Sequence, residues 1–244
     1  GVEKSLPRVN LLCVAHNLGV TVIPIAERDT QFASKPKLVG EFVNTWSVEG
    51  VYEEGIAPAE LGWGTHEKTL PANTYLHEGG PQNQIAIAQA GATKWVRSWV
   101  PNSETTGLLV RHGEAFTISD HLTVWRDKKA VYRPTVHYAY CPSDAAIASM
   151  RELEMRQCNL QQNQRIMNDE IIDGEDRLGV LLMGHPYKSW WTGSLLSIHD
   201  APKLIPNHSA TTVQVASAVY PAVAWAMPNP ARGQCVPDDF TWTQ

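Results

Sequence analysis

The chain has 244 residues, of which 43% are hydrophobic and 18% charged, and its 20 basic and 25 acidic residues give a formal net charge of −5. Such a composition is typical of a globular protein that buries a large core without disulfides or bound metal. The acidic balance, with Lys and Arg scattered along the sequence, argues against binding to a nucleic acid backbone. The four cysteines lie far apart without a CxxC pair, which predicts free thiols in a reducing cytoplasm and no metal site.

In the first quarter of the chain, apolar spacing predicts a helix within residues 1–20, and β-branched residues predict a strand over 21–26. A second strand is predicted over 38–46. Ser47 then follows as the N-cap of a helix that runs to about residue 54. Two strand ends and a helix start therefore fall close together in this part of the sequence.

The middle third is predicted to form an antiparallel meander, because β-rich segments alternate with turns. These segments cover 84–89, 93–99, 107–112, 122–126 and 130–140.

The last hundred residues are predicted to open with a helix from Cys141 to about Leu160, with Pro142 in its first turn. Strands over 176–183 and 190–198 follow. The order of elements indicates an α+β fold with a mixed, largely antiparallel sheet and flanking helices.

The most apolar stretch of the chain covers residues 210–227, after Ser209, which can cap a helix. It contains Gln214 and Pro221 and lacks the aromatic and basic flanks of a membrane span. We therefore predict a buried core helix here and no membrane segment.

Nucleotide and hydrolase motifs are missing from the sequence. It contains no G-x-G-x-x-G, no G-x-x-x-x-G-K-[ST], no G-x-S-x-G and no H-E-x-x-H. A bound nucleotide would need another chain or segment.

The densest polar and aromatic cluster combines residues 27–31, at a strand end, with Trp46, Glu49, Glu53 and Glu54. Carboxylates beside an indole suit a cationic amine, because the acid gives a charge-assisted hydrogen bond and the ring a cation–π surface. The same pattern also fits a solvated surface network, the wet face of a helix and a core tryptophan.

His112 follows a predicted strand on a tight connection, where an imidazole could act as acid or base. A lone histidine in such a place more often has a structural hydrogen-bonding role, which stays open for it. His137 lies between apolar residues and is expected in the core. The turn at 184–187, near Trp190 and Trp191, is either an aromatic wall or a hairpin packed on the core.

Seven segments of the chain resemble the catalytic region of bacterial homospermidine synthases, and together they reach across most of residues 25–230. They are 27–31, 44–50, 58–67, 132–135, 173–182, 194–198 and 209–225.

This resemblance implies a saccharopine dehydrogenase-like α+β domain that pairs with an N-terminal Rossmann domain, separate or missing here, in a homodimer. Residues 1–26 would be a remnant of, or link to, the Rossmann domain. Residues 27–205 would form the catalytic and dimerisation domain, and 206–244 would pack back on the Rossmann part. We expect that part to dock on an exposed apolar patch of the final helix, around Val213, Val215, Ala216 and Val219.

The resemblance also implies a transferase reaction. Tightly held NAD would take a hydride from putrescine, ammonia would leave, a second putrescine would condense as an imine, and the returned hydride would give homospermidine. Glu27 and Glu54 would hold the ammonium ends, Trp46 would form the cation–π wall, and His112 would join Glu27 and Glu54 as a catalytic group. Two alternatives stay open, namely a polyamine-binding relative without redox chemistry and an unrelated structural protein that reuses the fold.

Overall fold

The computed structural model describes residues 20–77 and 84–240, so the helix predicted within 1–20 and Cys13 lie outside the described residues. Within these residues the chain forms fifteen strands and five α-helices. The strands are β1 (Val22–Asp29), β2 (Phe32–Ala33), β3 (Glu41–Asn44), β4 (Pro58–Gly62), β5 (Thr74–Leu76), β6 (Gln84–Ala90), β7 (Trp95–Val100), β8 (Ser103–Leu108), β9 (Val124–Arg126), β10 (Lys129–Tyr132), β11 (Thr135–Cys141), β12 (Asn163–Ile166), β13 (Ile171–Asp173), β14 (Glu175–His185) and β15 (Lys188–Ser197). The helices are α1 (Val48–Ile56), α2 (Glu114–His121), α3 (Asp144–Met155), α4 (Ala201–Leu204) and α5 (Ala210–Ala226).

A nine-stranded mixed sheet organises the fold. Its main path runs β15-β14-β1-β11-β4-β6-β5, and the β7–β8 hairpin joins the edge of β11. β1 and β11 pair in parallel, whereas β14, β15, β4 and β6 pair with their neighbours in antiparallel register. The predicted α+β class with a mixed, largely antiparallel sheet is therefore confirmed.

One face of the central strands carries both the core and the candidate site, because side chains of a strand alternate between faces. Ile25, Tyr138 and Leu178 pack there against α1 and α3, through residues such as Val51 and Met150. Glu27 and Asp29 share this face with Ile25, and Arg28 points to the opposite one.

The predicted strands at 84–89, 93–99 and 122–126 are present as β6, β7 and β9, but the meander predicted to join the middle third is wrong. β6 pairs with β4 and β5 rather than with β7, and β8 ends at Leu108, so 107–112 is not a strand. The segment 114–121 forms α2, with Glu114 near the positive end of its dipole. The predicted strand 130–140 is broken at Pro134, which has no N–H for a sheet hydrogen bond.

Two other boundaries differ from prediction. The predicted strand 38–46 shrinks to β3, because Gly40 adopts a positive φ of 76° and makes a turn. The predicted helix 141–160 shrinks to α3, since Ser143 is its N-cap and accepts a hydrogen bond from the Ala146 N–H. Cys141 consequently stays in β11, and Pro142 precedes the helix rather than opening it.

α5 begins as predicted at Ser209, whose hydroxyl accepts a hydrogen bond from the Thr212 N–H. The prediction that the helix is buried is wrong, because only its first turn lies against the sheet, where Val213 packs beside Leu196. Beyond that turn most residues of the helix are exposed to solvent, and Tyr220 is 78% exposed. No helix in the described part of the chain is long and apolar enough to cross a membrane.

A stability test follows from the close approach of β8 to β11. A Cβ at Gly107 would lie 2.5 Å from the carbonyl carbon of Ala139, which is backbone and has no room to yield. We expect Gly107→Ala to destabilise the protein by about 1–3 kcal/mol, as overpacking does. At Gly113, in contrast, a Cβ meets nothing within 4 Å, so Gly113→Ala is the matched control. Thermal or urea unfolding measures both, and equal losses would contradict the proposed packing.

Candidate functional site

A cavity of about 260 Å³ opens between the central strands and α5. The side of α5 that lines it carries residues three or four positions apart, which is the spacing of one helix face. The lining residues are Glu27, Trp46, Glu54, His112, Glu114, Tyr138, Tyr140, Leu178, Thr211, Gln214, Val215, Ala218 and Val219. The cavity therefore brings together the four residues to which the family resemblance assigns a role, namely Glu27, Trp46, Glu54 and His112.

The floor of the cavity is built by β1 and β11. Glu27 pairs with Tyr140 in the parallel register, and two residues earlier on β11 the Tyr138 hydroxyl donates a hydrogen bond of 3.0 Å to Glu27 Oε2. Glu27 is 6% exposed. A surface network of charges, one of the alternatives for this segment, is therefore excluded for Glu27.

His112 forms one wall of the cavity. Its ring stacks on Tyr138 with centroids 4.6 Å apart, and its Nδ1 is hydrogen-bonded to Glu114. Its Nε2 lies 3.7 Å from Glu54 Oε1. Burial lowers the pKa of His112, but the nearby Glu114, Glu54 and Glu27 carboxylates outweigh it and leave that pKa raised.

Trp46 lies between β3 and the N-terminus of α1, and its half-buried indole lines the cavity. It is absent from the clusters that form the described core. The alternative of a plain core tryptophan is therefore wrong. Trp46 also lines a second cavity of about 640 Å³, together with Glu49.

Three carboxyl groups lie under the cavity on β1 and β14, because Asp29 pairs directly with Asp176. Burial, and then the charge of Asp29, raises the pKa of Glu27 to about 8. Burial likewise raises the pKa of Asp29, and burial together with Glu27 and Asp29 raises that of Asp176 well above its usual range. Neither carboxyl oxygen of Asp176 accepts a hydrogen bond of good geometry. The nearby Thr211 side chain nevertheless limits the rise in the pKa of Asp176. None of these three carboxyl groups forms an ion pair with a basic side chain of the described residues, although the charges of His112 and Arg28 act on Glu27 and Asp29 from a distance.

Asp29 serves a structural purpose in this cluster. Its oxygens accept hydrogen bonds from the Thr45 hydroxyl at 2.6 Å and from the Gln31 backbone N–H at 2.8 Å. Gln31 in turn donates to Thr211 Oγ1 and accepts from the Ala210 N–H. This network fixes the start of α5 above the end of β1.

The remaining nominated residues lie elsewhere. Glu53 lies on the solvent-exposed face of α1, which agrees with the alternative interpretation of this residue. His137 is buried in β11 and bonded to a backbone carbonyl, as expected for a core histidine. The hairpin, one of the two alternatives for 184–187, is present between β14 and β15, but Tyr187 and Trp190 are exposed rather than packed on the core. Of the residues predicted on an exposed patch, Val213 is buried whereas Ala216 and Val219 are exposed, and Val215 and Val219 also line the cavity.

Sequence reasoning missed Glu114, Tyr138, Asp176 and Gln214. A signal existed for Tyr138, because it lies two positions before Tyr140 in a predicted strand, and residues two positions apart face the same side of a strand. Nothing local in the sequence reveals that Asp176 pairs with Asp29, since the pairing of distant strands is not encoded by periodicity.

Most of the chain is similar to known proteins. The model of the saccharopine dehydrogenase C-terminal domain matches residues 12–244. The homospermidine synthase of Blastochloris viridis is 48% identical over 98% of this chain and 50% of its own length, and that of Mesorhizobium japonicum is 47% identical over 92% of this chain and 47% of its own.

A solved structure is similar as well. The crystal structure of the homospermidine synthase of Legionella pneumophila in complex with NAD superposes with a TM-score of 0.87 at 40% identity, over 94% of this chain and 50% of that one. The chain thus spans about half the length of the relatives that it matches.

Proposed function

The chain belongs to the saccharopine dehydrogenase C-terminal domain family, and from that membership we propose that it forms the diamine-binding half of a homospermidine synthase. The observation that carries the proposal is the cavity in which a buried, unpaired Glu27 lies with Glu54 and Trp46. A diamine such as putrescine, with an ammonium group at each end, supplies a positive partner for Glu27 and competes with His112 for Glu54.

We assign the inner ammonium end to Glu27, with Asp176 behind it, and the outer end to Glu54. The Trp46 indole borders the path between them and offers its π face to the cation. Each charge-assisted hydrogen bond contributes about 1.5–3 kcal/mol and a desolvated cation–π contact about 2 kcal/mol. Contacts of this size are enough to select a dication over a monoamine.

His112 is the residue that we propose as proton donor and acceptor. Its raised pKa favours the imidazolium, and Glu114 holds Nδ1, so that Nε2 is the atom free to exchange a proton. At 3.7 Å the contact of Nε2 with Glu54 is longer than a hydrogen bond, which leaves room for an amine to compete for this proton.

The cofactor that we propose for the whole protein is NAD, with which the Legionella relative was solved. The described residues offer no strand–turn–helix with the glycine spacing that cradles a dinucleotide pyrophosphate. Residues outside them would therefore hold NAD, and the described side chains are assigned to the amine alone.

The exposed apolar side of α5, formed by Tyr220, Val223 and Met227, is where we propose that the nucleotide-binding half docks. We also propose a homodimer, formed through the domain at 27–205, in the cytoplasm. The free thiols of Cys141, Cys158 and Cys235 support a reducing compartment. The two closely similar synthases favour an enzyme over a polyamine-binding protein without catalysis.

The test of the function is the product formed from putrescine and NAD by the full-length protein, followed by mass spectrometry. Homospermidine is the expected product. Putrescine binding without any homospermidine would overturn the catalytic part of the proposal, and absence of binding would overturn all of it.

The raised pKa of Glu27 gives this proposal a pH signature. Below about pH 8 Glu27 holds a proton, which an ammonium ion must displace, so putrescine binding should release protons. Alkyl amines with a pKa near 10.4 stay charged to about pH 9. We therefore expect the affinity to rise from pH 6 to 8, by up to about tenfold per unit. Loss of the proton from His112 as the pH rises removes a positive charge that repels the ammonium groups, and it therefore also raises the affinity for putrescine.

Calorimetry in two buffers of different ionisation enthalpy measures the released protons. Glu27→Gln is the control, because it should flatten the pH dependence that comes from this group. An affinity that stays constant between pH 6 and 8 would contradict the role of Glu27.

A further inference from the structure

A further polar cavity lies at the C-terminal end of β1, and none of its lining residues lines the candidate site. Its volume is about 340 Å³, and it is lined by Arg28, by the connection 30–37 and by Asp144 and Ala145 at the start of α3. Because successive side chains of β1 alternate, Arg28 points into this groove while Glu27 and Asp29 point away from it. The groove is therefore separate from the cavity of the candidate site, which is called the diamine cavity below because it is lined by Glu27, Trp46 and Glu54.

Arg28 is half-buried and has no carboxylate partner in an ion pair within the described residues. Its Nη1 donates to the carbonyl oxygens of Asp29 at 3.1 Å and Pro142 at 3.2 Å and contacts Cys141 Sγ at 3.0 Å. None of these acceptors bonds to Nε or Nη2. The Asp29 carboxyl senses the charge of Arg28, but it is held on the other face by Thr45 and Gln31.

The other charges of the groove leave it positive. Lys35 is exposed and makes no hydrogen bond or ion pair with the described residues, whereas Lys37 is paired with Glu152 at 2.5 Å. Asp144 supplies the acid that lines the groove, and it forms no ion pair with Arg28 or Lys35 in the part of the chain described. Arg28 and Lys35 thus line one cavity without an ion-pair partner among the described residues, although Lys35 is near enough to Glu41 to lower the pKa of that carboxyl group.

We propose that this groove binds an oxyanion, the phosphate or carboxylate group of a small metabolite. Nε and Nη2 of Arg28 form the planar fork that such groups accept in bidentate fashion, and they are fixed in place because Nη1 is already bonded. Lys35, at the rim, adds a mobile second charge. The site does not depend on the proposed diamine chemistry.

The test is a titration of the intact chain with inorganic phosphate and, in a separate arm, with succinate, both by calorimetry at ionic strength held constant with chloride. Constant ionic strength removes general screening from the comparison. We expect saturable binding of one of the two anions. The arm that saturates identifies the group as phosphate or carboxylate.

Three variants make the test specific. Lys35→Gln should weaken binding at least about fivefold, and Arg28→Gln should abolish it, as loss of a charge-assisted hydrogen bond implies. Lys203→Gln is the matched control, because Lys203 is an exposed lysine on α4 paired with Asp200 and should bind as the parent does. Lys35 makes no contact that the fold needs, so its variant remains informative even if Arg28→Gln fails to fold. No saturation with either anion, or binding that Lys35→Gln leaves unchanged, would overturn the proposal.

Discussion

Glu27→Gln and Glu54→Gln are each expected to reduce the affinity for putrescine by about ten- to a hundredfold and to remove the preference for putrescine over butylamine. The reason is that each variant keeps the shape of the side chain and a hydrogen-bonding group but can no longer become an anion. A charge-assisted hydrogen bond of about 1.5–3 kcal/mol is then replaced by a neutral one. The loss should be larger for Glu27, because it is buried and its ammonium partner is more fully removed from water.

Glu53→Gln is the matched control for this pair. Glu53 neighbours Glu54 in sequence on α1 but is exposed and does not line the diamine cavity, so its variant should bind as the parent does. Calorimetry with both amines measures the effect. If the parent protein bound putrescine and butylamine equally well, the assignment of two ammonium positions would be wrong.

Stability provides an independent check on Glu27→Gln. Because the pKa of Glu27 is raised from its usual value to about 8, the folded state holds a proton there that the unfolded state gives up near pH 4.5. This group therefore makes the free energy of unfolding fall as the pH rises from about 4.5 to 8. Gln stays neutral throughout, so the variant should lose this part of the pH dependence and unfold at a higher temperature than the parent at pH 8.

Trp46→Ala is expected to weaken putrescine binding by about 1–2 kcal/mol, whereas Trp46→Phe should retain part of the affinity. Benzene has a weaker quadrupole than indole but still presents a negative face to a cation. The half-buried position of Trp46 at the cavity means that the loss should appear in binding, with a small change in melting temperature.

Trp190→Ala is the matched control for the loss of an indole. Trp190 is 56% exposed on β15 and does not line the cavity, so its removal should leave putrescine affinity unchanged. Equal losses of affinity in the Ala and Phe variants of Trp46 would indicate a packing role. A fall in melting temperature without a change in the affinity of the folded protein would indicate the same.

Local chemistry accounts for the parts of the fold that the sequence predicts well. Ser47 and Ser209 were predictable as helix N-caps, because a hydroxyl before an apolar period satisfies a free backbone N–H. Glu27 and Trp46 were identifiable because chemically distinctive residues lie at consecutive element ends. The resemblance to homospermidine synthases indicated the same residues.

The errors arise where distant parts of the chain decide the outcome. A segment such as 114–121 has helix and strand formers in balance, and its packing against β4 and β11 settles that it is α2. α5 has the composition of a buried helix. Its burial depends on which other elements pack beside it, however, and composition does not reveal those neighbours. Asp176 belongs to the site through its register with Asp29, a property of the assembled sheet.

The parallel pairing of β1 with β11 has a consequence for how the protein reaches its native state. Glu27 and Tyr138, which bond across this pair, are 111 residues apart in the chain, and Gln31 and Thr211 are 180 residues apart. Contacts of such sequence separation are slow to form, because the entropy of closing the loop is lost before the contacts are gained. During synthesis, α5 also leaves the ribosome after every strand that it must cover. The diamine cavity is therefore among the last features to be completed, and until then the buried carboxyl groups of β1 and β14 remain open to water.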